Sequence, residues 1–341
     1  MKAMVLRAPG DLALEEVAEP PVAPGHILVR ITSSGLCGTD LKIYNGSIPA
    51  QYPRIMGHEM AGEAVWSDAA DIARGDRVVI DPVLYCGACF HCRMGQTNLC
   101  RFGGLIGRET DGGFAEFASI PKAQVFRIPD SLDLRMAPLI QVASTCLHAQ
   151  RLAAVSGGES RGESVAVIGL GVSGQLHVQV AKARGAGKVI GISRSRFKND
   201  LARELGAEVA IEAGPGAVAK VLEETEGRGT DVVIESTGMM ASLADAIRMA
   251  RFGGRVVLFG ISSATHGDLP FYDLYYKELT LINSRAATGQ DFPAAIDLVN
   301  RGVLRLQPLV THRMALDELG AALGMLEDGA DRRLKIILDH T

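Results

Sequence analysis

The stretch "CGACFHCRMGQTNLC" puts four of the chain's six cysteines within fifteen residues, at Cys86, Cys89, Cys92 and Cys100. Few local patterns limit a fold so tightly. Two C-x-x-C steps let successive thiolates converge on one tetrahedral ion, the longer third gap returns the chain to close the shell, and the glycines permit the tight turns. Four thiolates fill the coordination of a zinc ion, so the predicted site is structural: it pins a lobe and leaves no position for substrate. A pair of disulfides is the competing reading. Bridges between adjacent C-x-x-C cysteines are strained, however, and no export signal argues for an oxidising compartment.

The remaining composition narrows the class. The opening "MKAMVLRAPGDLALEE" carries no apolar run, and nowhere do eighteen apolar residues stand together, so the expectation is a cytoplasmic protein that spans no membrane. At 341 residues, 47% hydrophobic and 22% charged, the chain can fill more than one core, which predicts two domains. A net charge of −4 with scattered Lys and Arg leaves no basic footprint for nucleic acid. Small-molecule chemistry is the expectation.

Along the chain, "HILVRI", "DRVVI" and "FAEFASI" are short apolar runs between Gly and Pro turns, and they read as many short strands. From Gly162 the texture changes. "ESVAVIGLGVSGQLHVQVAKARGAGKVIGISRSRFKNDLARELGAEVAI" runs strand, Gly-rich turn, helix, strand, helix, strand, and "DVVIES", "GRVVLFG" and "LTLINS" supply three more strands. Six strands alternating with helices make a doubly wound parallel sheet. The stretch from Phe292 reads as two amphipathic helices and a last apolar strand. The predicted division is 1–145, 146–290 and 291–341.

In "GLGVSG", Gly169, Gly171 and Gly174 follow the apolar "VAVI" and open a helical pattern at Val172. Gly169 allows the tight turn, Gly171 lets backbone approach a pyrophosphate, Gly174 lets helix and sheet pack closely, and the helix N-terminus attracts phosphate. This predicts a bound dinucleotide. About twenty residues on, where a carboxylate would hold the adenosine ribose, stands Ser193, followed by Arg194 and Arg196. A carboxylate repels a 2′-phosphate, whereas a hydroxyl and two guanidinium groups pair with it, so NADP is predicted over NAD. The competing reading makes the two arginines a solvated surface pair.

"CGTD" at 37–40, "GHE" at 57–59, the four-cysteine lobe and "GLGVSG" occur in one order along the chain. In these it resembles, over essentially its full length, the zinc-dependent medium-chain dehydrogenases/reductases, the family of zinc alcohol, sorbitol and threonine dehydrogenases. The resemblance implies an α/β plus β architecture: a GroES-like β-rich catalytic domain carrying the structural zinc lobe, completed by the C-terminal return, with a Rossmann domain between. It implies two zinc ions, one structural and one catalytic. Cys37 and His58 match the family's first two catalytic ligands, and Glu59 matches a carboxylate that is a ligand in some members and lies beside the shell in others. Asp40 looks like the carboxylate that orients the ligating histidine, and Thr39 like the hydroxyl that carries the substrate proton away. Gln141 stands where the third ligand is usually Cys, Asp or Glu; Cys146, more than a helical turn further, is the less favoured substitute.

Two further departures are Lys42, where many members carry the histidine that ends the proton relay, and Asp68, where a Gly is common. The segment "LINSRAATGQDFPAAI" is similar to branches acting on polyols, sugars and sugar acids. Arg285 within it is a candidate partner for a substrate carboxylate, with a cofactor contact or a salt bridge inside the second domain as alternatives. The implied reaction is hydride transfer between NADP and a secondary alcohol or ketone, in a homodimer or homotetramer paired through "LTLINS". The alternative is a non-catalytic or zinc-free NADP-binding member.

Overall fold

The computed structural model describes residues 1–156, 162–328 and 332–340. The chain divides into two compact units, one made of Met1–Ser144, Ala286–Gly302 and Leu306–Thr341, the other of Thr145–Arg285 and Val303–Arg305.

The first unit is built on a sheet ordered Val125–Arg127, Arg77–Ile80, Glu59–Trp66, His26–Leu36, Lys335–Asp339, Val310–Ala315, with Phe117–Pro121 also pairing with His26–Leu36. Alternation makes this possible: Ile27, Val29 and Ile31 of "HILVRI" all point into one core with Met60, Val78, Ile80 and Ile120. Each such aliphatic, fully buried, stabilises the unit by roughly 2 kcal/mol. The register places Gly35 opposite Glu59 and Leu36 opposite Ile336. Three segments distant in sequence therefore meet at the end of one long strand. The four-cysteine stretch is closed off at its base by the short pair Val83–Leu84 and Gly104–Leu105.

The second unit holds six parallel strands, in spatial order Val209–Glu212, Lys188–Ser193, Ser164–Ile168, Thr230–Glu235, Ala250–Leu258 and Thr280–Asn283. Counted along the chain this is 3-2-1-4-5-6, the doubly wound order, with the reversal beside the first strand. That strand is buried throughout: Val165 and Val167 face one core, Ala166 and Ile168 the other. A strand covered on both faces reads as an unbroken apolar run, which is how "SVAVI" reads.

Three features differ from expectation. The return into the first unit begins at Ala286 rather than at 291, and Ala287 and Thr288 are already buried there. Val303–Arg305 belong to the second unit, where the Arg305 amide donates to Gln179 Oε1 and its guanidinium pairs with Glu204. The helix carrying Gln141 and Cys146 begins at Pro138, a residue whose fixed φ and missing N–H suit a helix's first turn. The C-terminal stretch also holds the strand Val310–Ala315, whose three consecutive polar residues, Thr311, His312 and Arg313, hid it among the helical patterns.

Candidate metal centres and cofactor turn

In the four-cysteine lobe the sulfurs of Cys86 and Cys92 lie 4.0 Å apart, those of Cys89 and Cys92 3.5 Å, and those of Cys89 and Cys100 3.9 Å. A disulfide needs about 2 Å, so these are four separate thiols. Metal–sulfur bonds of about 2.3 Å in a tetrahedron give sulfur separations of about 3.8 Å, and the observed spacings fit that ion. Backbone N–H groups point at the sulfurs, Cys89 to Cys86 at 3.4 Å and Cys86 to Cys100 at 3.3 Å. The amides of Ala88 and Cys89 hold the Cys86 thiol below its ordinary range, and those of Cys92 and Arg101 bring Cys89 down to about 6. At these two positions the local backbone favours the thiolate, the form a metal takes, whereas burial and the neighbouring sulfurs of Cys89 and Cys100 push Cys92 up to about 12.

A second donor set is assembled where the long strand ends. Ligand atoms of Cys37, His58 and Glu59 lie within 4.8 Å of one another. Cys37 caps the helix Gly38–Tyr44, and its backbone N–H donates to Asp40 Oδ2 at 2.9 Å. The other Asp40 oxygen lies 3.1 Å from His58 Nδ1, so the ring's Nε2 is the nitrogen left for the cluster. Asp40 thus ties the helix start and the imidazole together with one fully buried side chain. Gly57 sets up the approach: its φ of +96° and the Phe114 ring, 2.7 Å from where a Cβ would stand, both require glycine. Burial alone would lower the His58 pKa, but the charge of Asp40, its hydrogen bond and Cys37 together raise it well above the ordinary value. The donors are one sulfur, one imidazole and one carboxylate, buried or half-buried, which suits zinc.

Glu59 has a partner that sequence reasoning missed. Lys335 Nζ, buried in the strand Lys335–Asp339, lies 2.6 Å from Glu59 Oε2 and donates to the Leu36 carbonyl at 3.1 Å. Burial opposes its charge, yet Glu59, Cys37 and Asp40 keep its pKa above the usual lysine value. The signal was a single lysine opening the otherwise apolar "KIILD".

Thr39 and Lys42 lie half-buried on the helix that Cys37 caps, three residues apart and so on one face. Gln141 is buried in the first turn of Pro138–Leu152. Cys146, further along that helix, is buried with its thiol on the Ser173 carbonyl at 3.5 Å, and burial pushes its pKa up. Arg285 is exposed at the last residue of the second unit's main segment, before the chain returns.

In the second unit Gly169 has φ +91°, and a Cβ on Gly174 would stand 1.9 Å from the Gly169 carbonyl. Gly171 caps the helix Val172–Ala183 with open space around it. A glycine turn that opens a helix beside the sheet's reversal point is the kind of arrangement that accepts an anion. At the end of the second strand, Ser193 Oγ accepts from the Ser195 amide at 3.2 Å, while Arg194 and Arg196 are exposed. Arg196 reaches only to 3.7 Å from Asp200.

Comparison with known proteins agrees with this architecture. A family model of the alcohol dehydrogenase GroES-like domain matches residues 23–130, and one of the zinc-binding dehydrogenase domain matches residues 173–301. The chain is 32% identical to the L-threonine 3-dehydrogenase of Pyrococcus horikoshii, covering 99% of each chain. It is 31% identical to the L-galactonate-5-dehydrogenase of Escherichia coli, over 92% of this chain and 91% of that one. A solved Sinorhizobium meliloti protein described as a zinc-binding dehydrogenase and bound to NADP superposes with a TM-score of 0.91 at 32% identity, covering 99% of this chain and 98% of that one. The chain belongs to the zinc-type medium-chain alcohol dehydrogenase family. It is an oxidoreductase acting on CH–OH groups with a nicotinamide cofactor. Among the described residues no helix is long and apolar enough to cross a membrane.

Proposed function

We propose that this chain is a zinc-dependent dehydrogenase transferring hydride between NADP and a secondary alcohol of the polyol, sugar or sugar-acid class. The observation that carries the reading is the convergence of Cys37, His58 and Glu59 within 4.8 Å, with Asp40 fixing the imidazole. Cys37, His58 and the amide oxygen of Gln141 would hold the catalytic ion, with Glu59 alongside, and Cys86, Cys89, Cys92 and Cys100 the structural one. The chemistry a zinc ion supplies in such a site is Lewis acidity toward the substrate oxygen. Thr39 takes the hydroxyl proton and passes it outward, with Lys42 on the same helix face as the next group able to carry it. The chemistry a nicotinamide would supply is acceptance of the hydride released from the substrate carbon as its hydroxyl becomes a carbonyl. In the second unit Gly169, Gly171, Val172 and Gly174 would receive the pyrophosphate, while Ser193, Arg194 and Arg196 would pair with the 2′-phosphate. Arg285, exposed in the same unit, is a further group we assign to the cofactor. The identity to L-galactonate-5-dehydrogenase supports the substrate class.

The test is metal analysis followed by kinetics over a panel of polyols, sugars and sugar acids. About two zinc ions per chain are expected, one closed site and one open, with higher efficiency for NADP than for NAD and that preference lost in Arg194→Ala/Arg196→Ala. About one zinc per chain and no turnover would instead favour a non-catalytic NADP-binding protein, the reading that the neutral Gln141 supports.

The expected assembly is a homodimer, or a tetramer of dimers, through the strand Thr280–Asn283. It ends the six-stranded sheet with one edge open, and Phe271, Tyr272, Tyr275 and Tyr276 just before it are 59–80% exposed. Open edges and clustered aromatics are features that association covers. Light scattering should give at least twice the chain mass, and Tyr272→Asp/Tyr275→Asp should shift the protein toward monomer; a monomeric parent would end this reading.

A further inference from the structure

The buried ion pair between Lys335 and Glu59 is the feature that the reading above leaves without a task. Glu59 Oε2 is enclosed on two sides. Lys335 Nζ stands 2.6 Å from it, and a Cβ on Gly35, its register partner across the sheet, would fall 2.3 Å from the same oxygen. Lys335 is itself held by the Leu36 carbonyl, one residue before Cys37. The carboxylate sits within 4.8 Å of the sulfur and imidazole, yet one oxygen is already committed to an ammonium group.

We propose that Lys335 is a positioning residue for the catalytic metal centre: its ammonium competes with the metal for Glu59 and holds that carboxylate in reserve beside the ligands. This rests on the reading of Cys37 and His58 as ligands. Formal charge makes the same point. Cys37 as thiolate, Asp40 and Glu59 bring three negative charges to a buried cluster, and Lys335 with a divalent cation neutralises them. Removing Lys335 leaves a surplus negative charge whose nearest compensation is the metal, so Glu59 moves onto it. The centre then binds metal more tightly and becomes a weaker electrophile.

The experiment uses full-length protein with zinc in the four-cysteine site and Co²⁺ titrated into the other, followed by visible absorption. A thiolate-to-cobalt band in the parent protein reports Cys37 on the ion; its absence would sink the metal-centre reading itself, not the role of Lys335 alone. Lys335→Met is expected to bind Co²⁺ about tenfold more tightly and to change the d–d bands as Glu59 joins the shell. Lys335→Arg should match the parent protein, and Lys335→Met/Glu59→Gln should lose the gain. Parent-like affinity and spectrum in Lys335→Met, or a gain that survives in the double variant, would overturn the proposal. Should Lys335→Met not fold, Glu59→Gln alone decides: a reserve carboxylate predicts unchanged d–d bands, and bands altered as for a lost ligand refute it.

Discussion

Cys37→Ala protein is expected to lose turnover by about 10³-fold or more while binding NADP with parent-like affinity. The size follows from losing a group that anchors several kcal/mol of transition-state stabilisation, each 1.4 kcal/mol being about a factor of ten. The fold should tolerate the change, because the helix start is secured through the backbone of residue 37. Its N–H donates to Asp40 Oδ2, and its carbonyl accepts from the Asp40 amide at 3.1 Å. Alanine keeps both. The glycine turn and Ser193 lie in the other compact unit, so dinucleotide affinity should not follow the thiol. Steady-state rates paired with calorimetric NADP titration read the two quantities separately. Turnover close to that of the parent would show that Cys37 is not a ligand.

Asp81→Asn should stabilise the protein, and by an amount that depends on pH. Asp81 is 1% exposed, accepts the Val83 amide at 3.0 Å through one oxygen, and offers the other to no protein partner. Burial first, and the nearby Asp291 carboxylate second, push its pKa up to about 7, against the pull of the Val83 N–H. In the unfolded chain the same group titrates near 3.9. Between those values the unfolded chain has released the proton and the folded one keeps it, so rising pH favours unfolding across that window. The loss amounts to about 4 kcal/mol by pH 7 and grows no further once the folded state also ionises. Asparagine keeps the acceptor for Val83 and carries no charge. Denaturant melts of both proteins should therefore nearly coincide at pH 4, separate steadily toward pH 7 and run parallel above it. A separation independent of pH, or a variant less stable at pH 8, would refute the assignment.

What the sequence made legible was whatever one turn or one element holds together. The four cysteines, the "CGTD" and "GHE" turns and the glycine turn each act within a dozen or so residues, so spacing alone exposes their chemistry. The six strands of the second unit were readable because burial on both faces leaves unbroken apolar runs. Lys335 was not legible. It meets Glu59 across 276 residues through sheet register, and register between distant strands leaves no trace in local spacing. Asp81 and Asp291 escaped for the same reason, and Val310–Ala315 because the consecutive Thr311, His312 and Arg313 leave it no apolar alternation to read.

The position of the strand Lys335–Asp339, hydrogen-bonded between His26–Leu36 and Val310–Ala315, has a consequence for biosynthesis. Ribosomes deliver the chain from its beginning, and domains ordinarily mature in that order. Here the nearly contiguous second unit can consolidate as soon as it emerges. The earlier-made unit must wait with a gap in its sheet until Lys335–Asp339 has been made. The lysine beside Glu59 arrives with that strand, so the carboxylate gains its buried partner only after 276 further residues have been added.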